Sequence, residues 1–189
     1  MLFSGNNHIN YENLSEALAY CLGNKGHSYI SELHLGNGGT SVDTTGVILY
    51  NPTQTSYQNS DMYTPTYNPT NTSNQTVMKV VDNTDVNNPD PARNKIEIIH
   101  TPGKNYTDIL ITCLLDYGEP AGQASFDNIA NLDNPYVFDE MGIKSWSPEG
   151  QRKGRLLTHV VFHPIKKSLN RLIQIEYTIR IQSLTNLTN

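Results

Sequence analysis

Residues Leu172–Gln182 constrain the fold more than any other stretch of this chain. Ile173, Ile175, Tyr177, Ile179 and Ile181 alternate strictly with Gln174, Glu176, Thr178, Arg180 and Gln182. A period of two separates a dry face from a wet one only on a β-strand, because successive side chains point to opposite faces. Eleven residues at ~3.3 Å each would reach roughly 36 Å, well beyond an average strand. Such a strand needs a long neighbour, and Arg155–His163 is the expected one, with Pro164–Arg171 as the connection. Two long antiparallel strands point to a sheet that packs face to face with another.

The rest of the chain fits that frame. Tyr106–Asp116 carries Ile109, Ile111, Cys113 and Leu115 on one parity and Leu110, Thr112 and Leu114 on the other. Apolar residues on both parities predict a central strand covered on both faces. Shorter strands are expected at Ser28–Leu35, Val42–Tyr50, Val77–Val81 and Lys95–His100. Gly36-Asn-Gly-Gly-Thr40 reads as a turn, since Gly and Asn tolerate positive φ. A single helix is expected at residues 11–22. There Leu14, Leu18, Cys21 and Leu22 share one face, Asn10 can cap the start and Gly23 can end it. Residues 123–134 are polar and are expected to hold at most one helical turn, around Phe126 and Ile129. The fold class expected is mainly β: one antiparallel β-sandwich domain over residues 1–189, with one short N-terminal helix.

The polar excess is concentrated. The chain holds 22 Asn and 18 Thr among 189 residues, and many lie between Asn51 and Asn94. Residues 51–75 repeat Tyr-Asn-Pro-Thr and Tyr-Thr-Pro-Thr with almost no aliphatic residue between the repeats. Such a stretch buries too little apolar surface to offset its own ordering entropy. Residues 51–75 are therefore expected as an extended loop or arm. Tyr50, Tyr57, Tyr63 and Tyr67 along it suit packing onto a neighbouring subunit, and a mobile surface loop is the plain alternative.

Charge narrows the function. Only 16% of residues are charged, and 13 Lys+Arg against 18 Asp+Glu give a net charge of −5. Nucleic-acid binding needs a positive stripe to meet the phosphates, so none is expected. Eight of the 13 basic residues fall from Lys144 onward. Lys166, Lys167 and Arg171 belong to that group and are candidates for contact with an acidic face of a neighbour. No apolar run approaches the ~20 residues that span a bilayer, and Met1–Asn7 lacks the basic-then-apolar order of a secretory signal. No membrane association is expected. Cys21 and Cys113 are expected to be small buried thiols, not a disulfide framework.

Motifs for catalysis and metal binding are weak. His159 and His163 have i, i+4 spacing, but the β-branched residues between them predict a strand. There the rings would be ~13 Å apart, too far for one ion with ~2.1 Å bonds. Gly36–Ser41 and Pro102–Thr107 lack the order and the following helix of a phosphate loop. Asp82–Asp90 offers oxygen ligands at short intervals, as calcium loops do, but has neither the mid-loop Gly nor the distant Glu of an EF-hand; turns are expected there, with a weak surface calcium site as the alternative. The six His have no nucleophile signature beside them. No catalytic residue, cofactor or metal site is assigned, and the chain is not expected to be an enzyme.

Two stretches resemble a known family. Ile30-Ser-Glu-Leu-His-Leu-Gly-Asn-Gly-Gly-Thr-Ser-Val-Asp43 is one. The other runs from Phe138-Asp-Glu-Met-Gly142 into Leu156-Leu-Thr-His-Val-Val-Phe-His-Pro-Ile-Lys-Lys-Ser-Leu-Asn-Arg171. Together they resemble small virion structural proteins of tailed bacteriophages, of the neck, collar or tail type. The resemblance implies a non-enzymatic, ring-forming protein located in the virion, with identical subunits and other virion proteins as partners. Capsid decoration is the neighbouring expectation within that class. A carbohydrate-binding or adhesin-like β-sandwich, with tyrosines stacking on sugars, is the alternative from another class.

Overall fold

The computed structural model describes residues 6–25, 28–55, 60–68, 70, 74–123 and 136–182. Ten strands and one helix follow in the order β1 (Asn6–Ile9), α1 (Tyr11–Leu22), β2 (Ile30–Gly36), β3 (Thr40–Val42), β4 (Ile48–Tyr50), β5 (Val77–Val80), β6 (Lys95–His100), β7 (Tyr106–Leu115), β8 (Val137–Ser145), β9 (Leu156–Lys166) and β10 (Ile173–Gln182). A five-stranded sheet has the order β1-β9-β8-β2-β5, and a three-stranded sheet has the order β10-β7-β6. Every pairing is antiparallel. The fold is a mainly β, sandwich-like arrangement with one helix, as the alternation patterns predict.

The core lies between the two sheets. Leu33, Leu35, Ile143, Val160 and Phe162 from the larger sheet meet Ile111, Cys113, Leu115, Tyr177 and Ile179 from the smaller. Leu33 sits opposite Ile143, and Leu35 opposite Met141. Such cross-strand pairs put matching apolar side chains on one face of the sheet.

Helix α1 occupies the expected residues. The Asn10 side chain accepts a hydrogen bond from the Asn13 amide at 3.1 Å, and Gly23 ends the helix. Asn13 Nδ2 donates to the Leu156 carbonyl at 2.8 Å, tying the first turn to β9. Cys21 is exposed, contrary to expectation, while Cys113 is buried, and neither forms a disulfide. Cys21 lies on the helix face that the sheets do not fully cover.

Three expectations about strands need correction. The partner of β10 is β7, paired over ten residues from Ile173↔Leu115 to Gln182↔Tyr106, and β9 instead lies between β1 and β8. The reason is burial. Leu156, Leu157, Val160, Val161 and Phe162 are all buried, so β9 needs cover on both faces and belongs inside a sheet, whereas the half-wet β10 suits an edge. Pro164 lies within β9 instead of starting the connection. It falls where the β8 register shifts between Phe138 and Glu140, so its missing N–H removes no regular ladder bond. The expected strand Val42–Tyr50 is a hairpin, β3–β4. Asp43 Oδ1 accepts from the Thr45 amide, the Thr45 hydroxyl and the Val47 amide at 2.7–2.9 Å, which fixes the turn. Phe126 and Ile129 lie outside the described residues.

The pairing of β10 with β7 is directly testable. Ile175 sits opposite Cys113, so Ile175→Cys refolded under oxidising conditions, where both thiols are accessible before the core closes, should form an intrachain disulfide, because opposed Cβ atoms in such a ladder are close together. Mass spectrometry of the oxidised chain reads the link; failure of these two cysteines to pair would argue for another neighbour of β10.

Candidate functional site

The outer face of the five-stranded sheet is buried but not apolar. Glu32 and His34 from β2, Glu140 and Lys144 from β8, and His159 from β9 are all sequestered from solvent. Alternation puts them there: their neighbours on the other parity, such as Leu33 and Ile143, face the sandwich core. A buried charge is tolerated only when paired and hydrogen-bonded, and these groups are.

Glu140 is the most heavily bonded of them. Its carboxylate accepts from the backbone amides of Thr64 at 2.6 Å, Tyr63 at 3.0 Å and Gly38 at 3.2 Å. His159 Nε2 lies 3.0 Å from the same carboxylate. The other ring nitrogen, Nδ1, receives the Gln54 amide at 2.8 Å. An N–H can only donate, so Nδ1 carries the lone pair and Nε2 carries the hydrogen that Glu140 accepts. One carboxylate and one imidazole thus hold Gln54, Tyr63 and Thr64 against the sheet.

A second group closes the other end of this face. Lys144 Nζ donates to Asp61 at 2.8 Å and to the Arg152 carbonyl at 3.0 Å, and the Thr66 hydroxyl donates to Asp61 at 2.7 Å. Glu32 accepts from the Arg152 amide at 3.0 Å and from His34 Nε2 at 2.8 Å. His34 Nδ1 lies 2.9 Å from the Thr76 hydroxyl, and Arg152 Nη1 donates to the Thr76 carbonyl at 2.7 Å. Met62, only 5% exposed, fills the gap between the two groups. It rests where Gly142 has no side chain, since a Cβ at that position would come within 2.8 Å of the Met62 sulfur.

The segment expected to reach outward therefore lies, in its described part, on the chain's own sheet. Asp61, Met62, Thr64, Thr66 and Thr76 act as a cover for the charged face. The turn at Gly36–Thr40 is part of the same construction. The Asp139 carboxylate accepts from the Gly39 and Thr40 amides at 2.8 and 2.9 Å, and from the Thr40 hydroxyl at 2.6 Å. A Cβ on Gly39 would stand 2.8 Å from the Asp139 carbonyl, so glycine serves close approach there.

The candidate interface residues divide. Tyr50 is exposed, with its hydroxyl 3.1 Å from His163 Nδ1. Tyr57 lies outside the described residues. Tyr63 donates its hydroxyl to the Pro52 carbonyl at 2.6 Å, and its ring packs 5.8 Å from that of His159. Tyr67 is exposed beneath the Lys153 ammonium, 5.7 Å from its ring centre. Lys166 is half-buried, and Arg171 is exposed with Nη1 bonded to the Lys166 carbonyl. Lys167 needs correction. It is 1% exposed and donates to the carbonyls of Tyr117 and Ser168 and to Gln123 Oε1, so it is an internal strut and not an interface charge. Two of its three acceptors lie 50 and 44 residues away in sequence and the third is the carbonyl of the next residue, and no spacing rule reveals them.

The loop Asp82–Asp90 forms turns. Asp82 Oδ1 accepts from the Thr84 amide and hydroxyl, and Asp85 Oδ1 from the Asn87 amide and side chain. Among the described residues no three His, Cys, Asp or Glu stand together as a metal site, and no helix is long and apolar enough to cross a membrane.

One surface feature went unread in the sequence. An apolar groove of about 530 Å³ opens between α1 and the end of the three-stranded sheet, lined by Leu14, Leu18, Ile96, Ile98, Ile109 and Ile181. Ile98 is 65% exposed and Ile181 37%. Ile98 and Ile181 lie on β6 and β10, whose alternation shows an apolar face but not how far α1 covers it. Comparison of the chain with protein-family models, with curated proteins and with solved structures gives no match.

Protonation links the charged face to stability. Burial pushes Glu140 up, but the hydrogen bonds from His159 and Thr64 outweigh it and hold the carboxyl below its ordinary 4.5. Burial lowers His34 below 6.5, helped by Lys144 and Arg152 and opposed by Glu32. Both groups bind protons more readily in the unfolded chain, so both destabilise the fold as pH falls. Urea midpoints should therefore drop in two stages, first below pH 6.5 from His34 and then below 4.5 as Glu140 titrates. Glu140→Gln should cost about 2–4 kcal/mol at neutral pH, because an amide N–H would face donors. A urea midpoint unmoved by this change would mean that the carboxylate does not hold the cover.

Proposed function

We propose that this chain is a non-enzymatic structural protein of a tailed-phage virion, acting by assembly in the neck, collar or tail. Identical subunits and other virion proteins are its partners, and it binds neither nucleic acid nor membrane. The observation that carries the assembly reading is the apolar groove beside α1. Ile98 and Ile181 stay exposed along it, and apolar side chains grouped at a groove are a place where a partner can dock. The ionisable groups that could have hinted at catalysis point the other way. Glu32, His34, Glu140, Lys144 and His159 are enclosed, and their bonds hold the chain's own backbone rather than facing a cleft.

The virion assignment rests on the resemblance. Its two stretches, 30–43 and 138–171, fold next to one another as β2 with its turn and as β8 and β9. They supply Glu32, His34, Asp139, Glu140, Lys144 and His159, so the residues carrying the likeness also build the charged face. The contact is assigned elsewhere, because the described part of 51–75 is engaged within its own fold, whereas among the described residues nothing fills the groove.

The test is mass measurement of the purified chain across a concentration series. A discrete oligomer is expected, and Ile98→Asp should shift it towards monomer while changing the monomer's unfolding free energy by no more than about 0.5 kcal/mol, as for an exposed site. A wild-type chain that stays monomeric throughout would overturn the assembly reading.

A further inference from the structure

The hairpin β3–β4 leaves apolar side chains uncovered on both of its faces. Its register sets Thr40 opposite Tyr50, Ser41 opposite Leu49 and Val42 opposite Ile48. Alternation therefore puts Val42 and Tyr50 on one face and Leu49 on the other, with Val47 at the turn. These four are 48–54% exposed. A two-stranded ribbon has no core of its own and is marginal in water. This one is nevertheless stiff. Its turn closes on the Asp43 carboxylate, with Gly46 at φ +86°. Its base is tied by the Thr40 amide to Asp139, by the Asn51 amide to the Gly39 carbonyl at 2.8 Å, and by the Tyr50 hydroxyl to His163. A preformed element loses little conformational freedom when it docks.

We propose that the hairpin of one copy inserts into the groove beside α1 of the next. The inference rests on the assembly reading and names the occupant of its groove. Position excludes the chain's own hairpin. β2 runs from Ile30, which lines the groove, to Gly36, which leads into the hairpin. β9 likewise passes from Leu157 at the groove to His163 at the hairpin. Six steps of ~3.3 Å put the two features roughly 20 Å apart, at opposite ends of the same strands. The groove has two apolar walls, Leu14 and Leu18 on α1 and Ile98, Ile109 and Ile181 on the smaller sheet. A ribbon that is apolar on both faces suits a slot that is apolar on both walls. Area decides the kind of assembly. An unfolded chain exposes roughly 160 Å² per residue, so residues 41–49, most of them exposed, carry on the order of 700 Å². Covering most of this with a similar area of groove buries about 1,000 Å², the least that a specific contact needs and short of a typical dimer. A knob and a socket at opposite ends form a heterologous contact, the kind that closes into rings. In a ring each copy gives one hairpin and receives one, so every copy is held twice.

Cys21 lines the groove and is exposed, so its thiol reports an inserted hairpin. Val42→Cys, Val47→Cys and Leu49→Cys are each made in the full chain with Cys21→Ser, which puts an exposed thiol on the hairpin and removes the one in the groove. On mild oxidation each should stay unlinked alone, and at least one should link to the wild-type chain when the two are mixed. Separately, Leu49→Asp sets a charge against an apolar wall and should weaken assembly at least about tenfold. No link in any mixture, links between hairpin thiols alone, or assembly of Leu49→Asp at wild-type strength overturns the hairpin as occupant. In that case an oligomer still lost in Ile98→Asp leaves assembly through the groove standing. A wild-type chain that is monomeric throughout overturns both.

Discussion

The carboxylate of Glu140 is the interaction on which the rest of this fold depends. It is fully buried, and it is acceptable there only because four donors converge on it: the amides of Gly38, Tyr63 and Thr64, and the His159 ring. Those donors come from the β2–β3 turn, from the polar excursion and from β9. One side chain thus joins three separate parts of the chain across the middle of the larger sheet. Remove any of them and an ionised group is left in an interior where its desolvation is costly. The fold is accordingly better described as three layers than two: a polar cover, a five-stranded sheet and a three-stranded sheet.

A charged layer of this kind does not maximise stability, since well-packed apolar residues often do as well or better. What it does here is fix register. Because side chains alternate, a one-residue slip of β8 would drive Glu140 and Lys144 into the core and bring Ile143 out among carboxylates. The same argument applies to β2, where Glu32 and His34 flank Leu33. An apolar outer face would tolerate such slips far better.

How much of this was legible depends on range. The alternation in 172–182 is enough to place β10 and its dry face, and Asn10 and Gly23 are enough to bound α1, because both signals are local. The neighbour of β10 was not legible: sequence adjacency favours β9, while the two-sided apolar pattern of 156–162 favours a strand inside a sheet, and the second constraint prevails. Where the described part of the excursion lies was not legible for a related reason. Its Asn, Thr and Pro content describes a segment unable to build a core of its own, which is true. What it needed was a buried charged face to bind, and those partners lie 77 and 83 residues away in sequence, Glu140 from Tyr63 and Lys144 from Asp61. Lys167 shows the same limit, since a basic residue in a basic run looks exposed until its carbonyl acceptors are known.

On the proposed reading, with the described part of the polar segment engaged internally, contact with other copies is left to the groove beside α1. That division rests on the cover being part of the cooperative core. Amide hydrogen exchange at Tyr63 and Thr64 measures this most directly, because both N–H groups end on Glu140. Protection as strong as that of the β8 amides is the expected result, since exchange would then require global unfolding. Exchange at the rate of an exposed loop would show that the cover opens on its own, and Glu140 would lose its place at the centre of the fold.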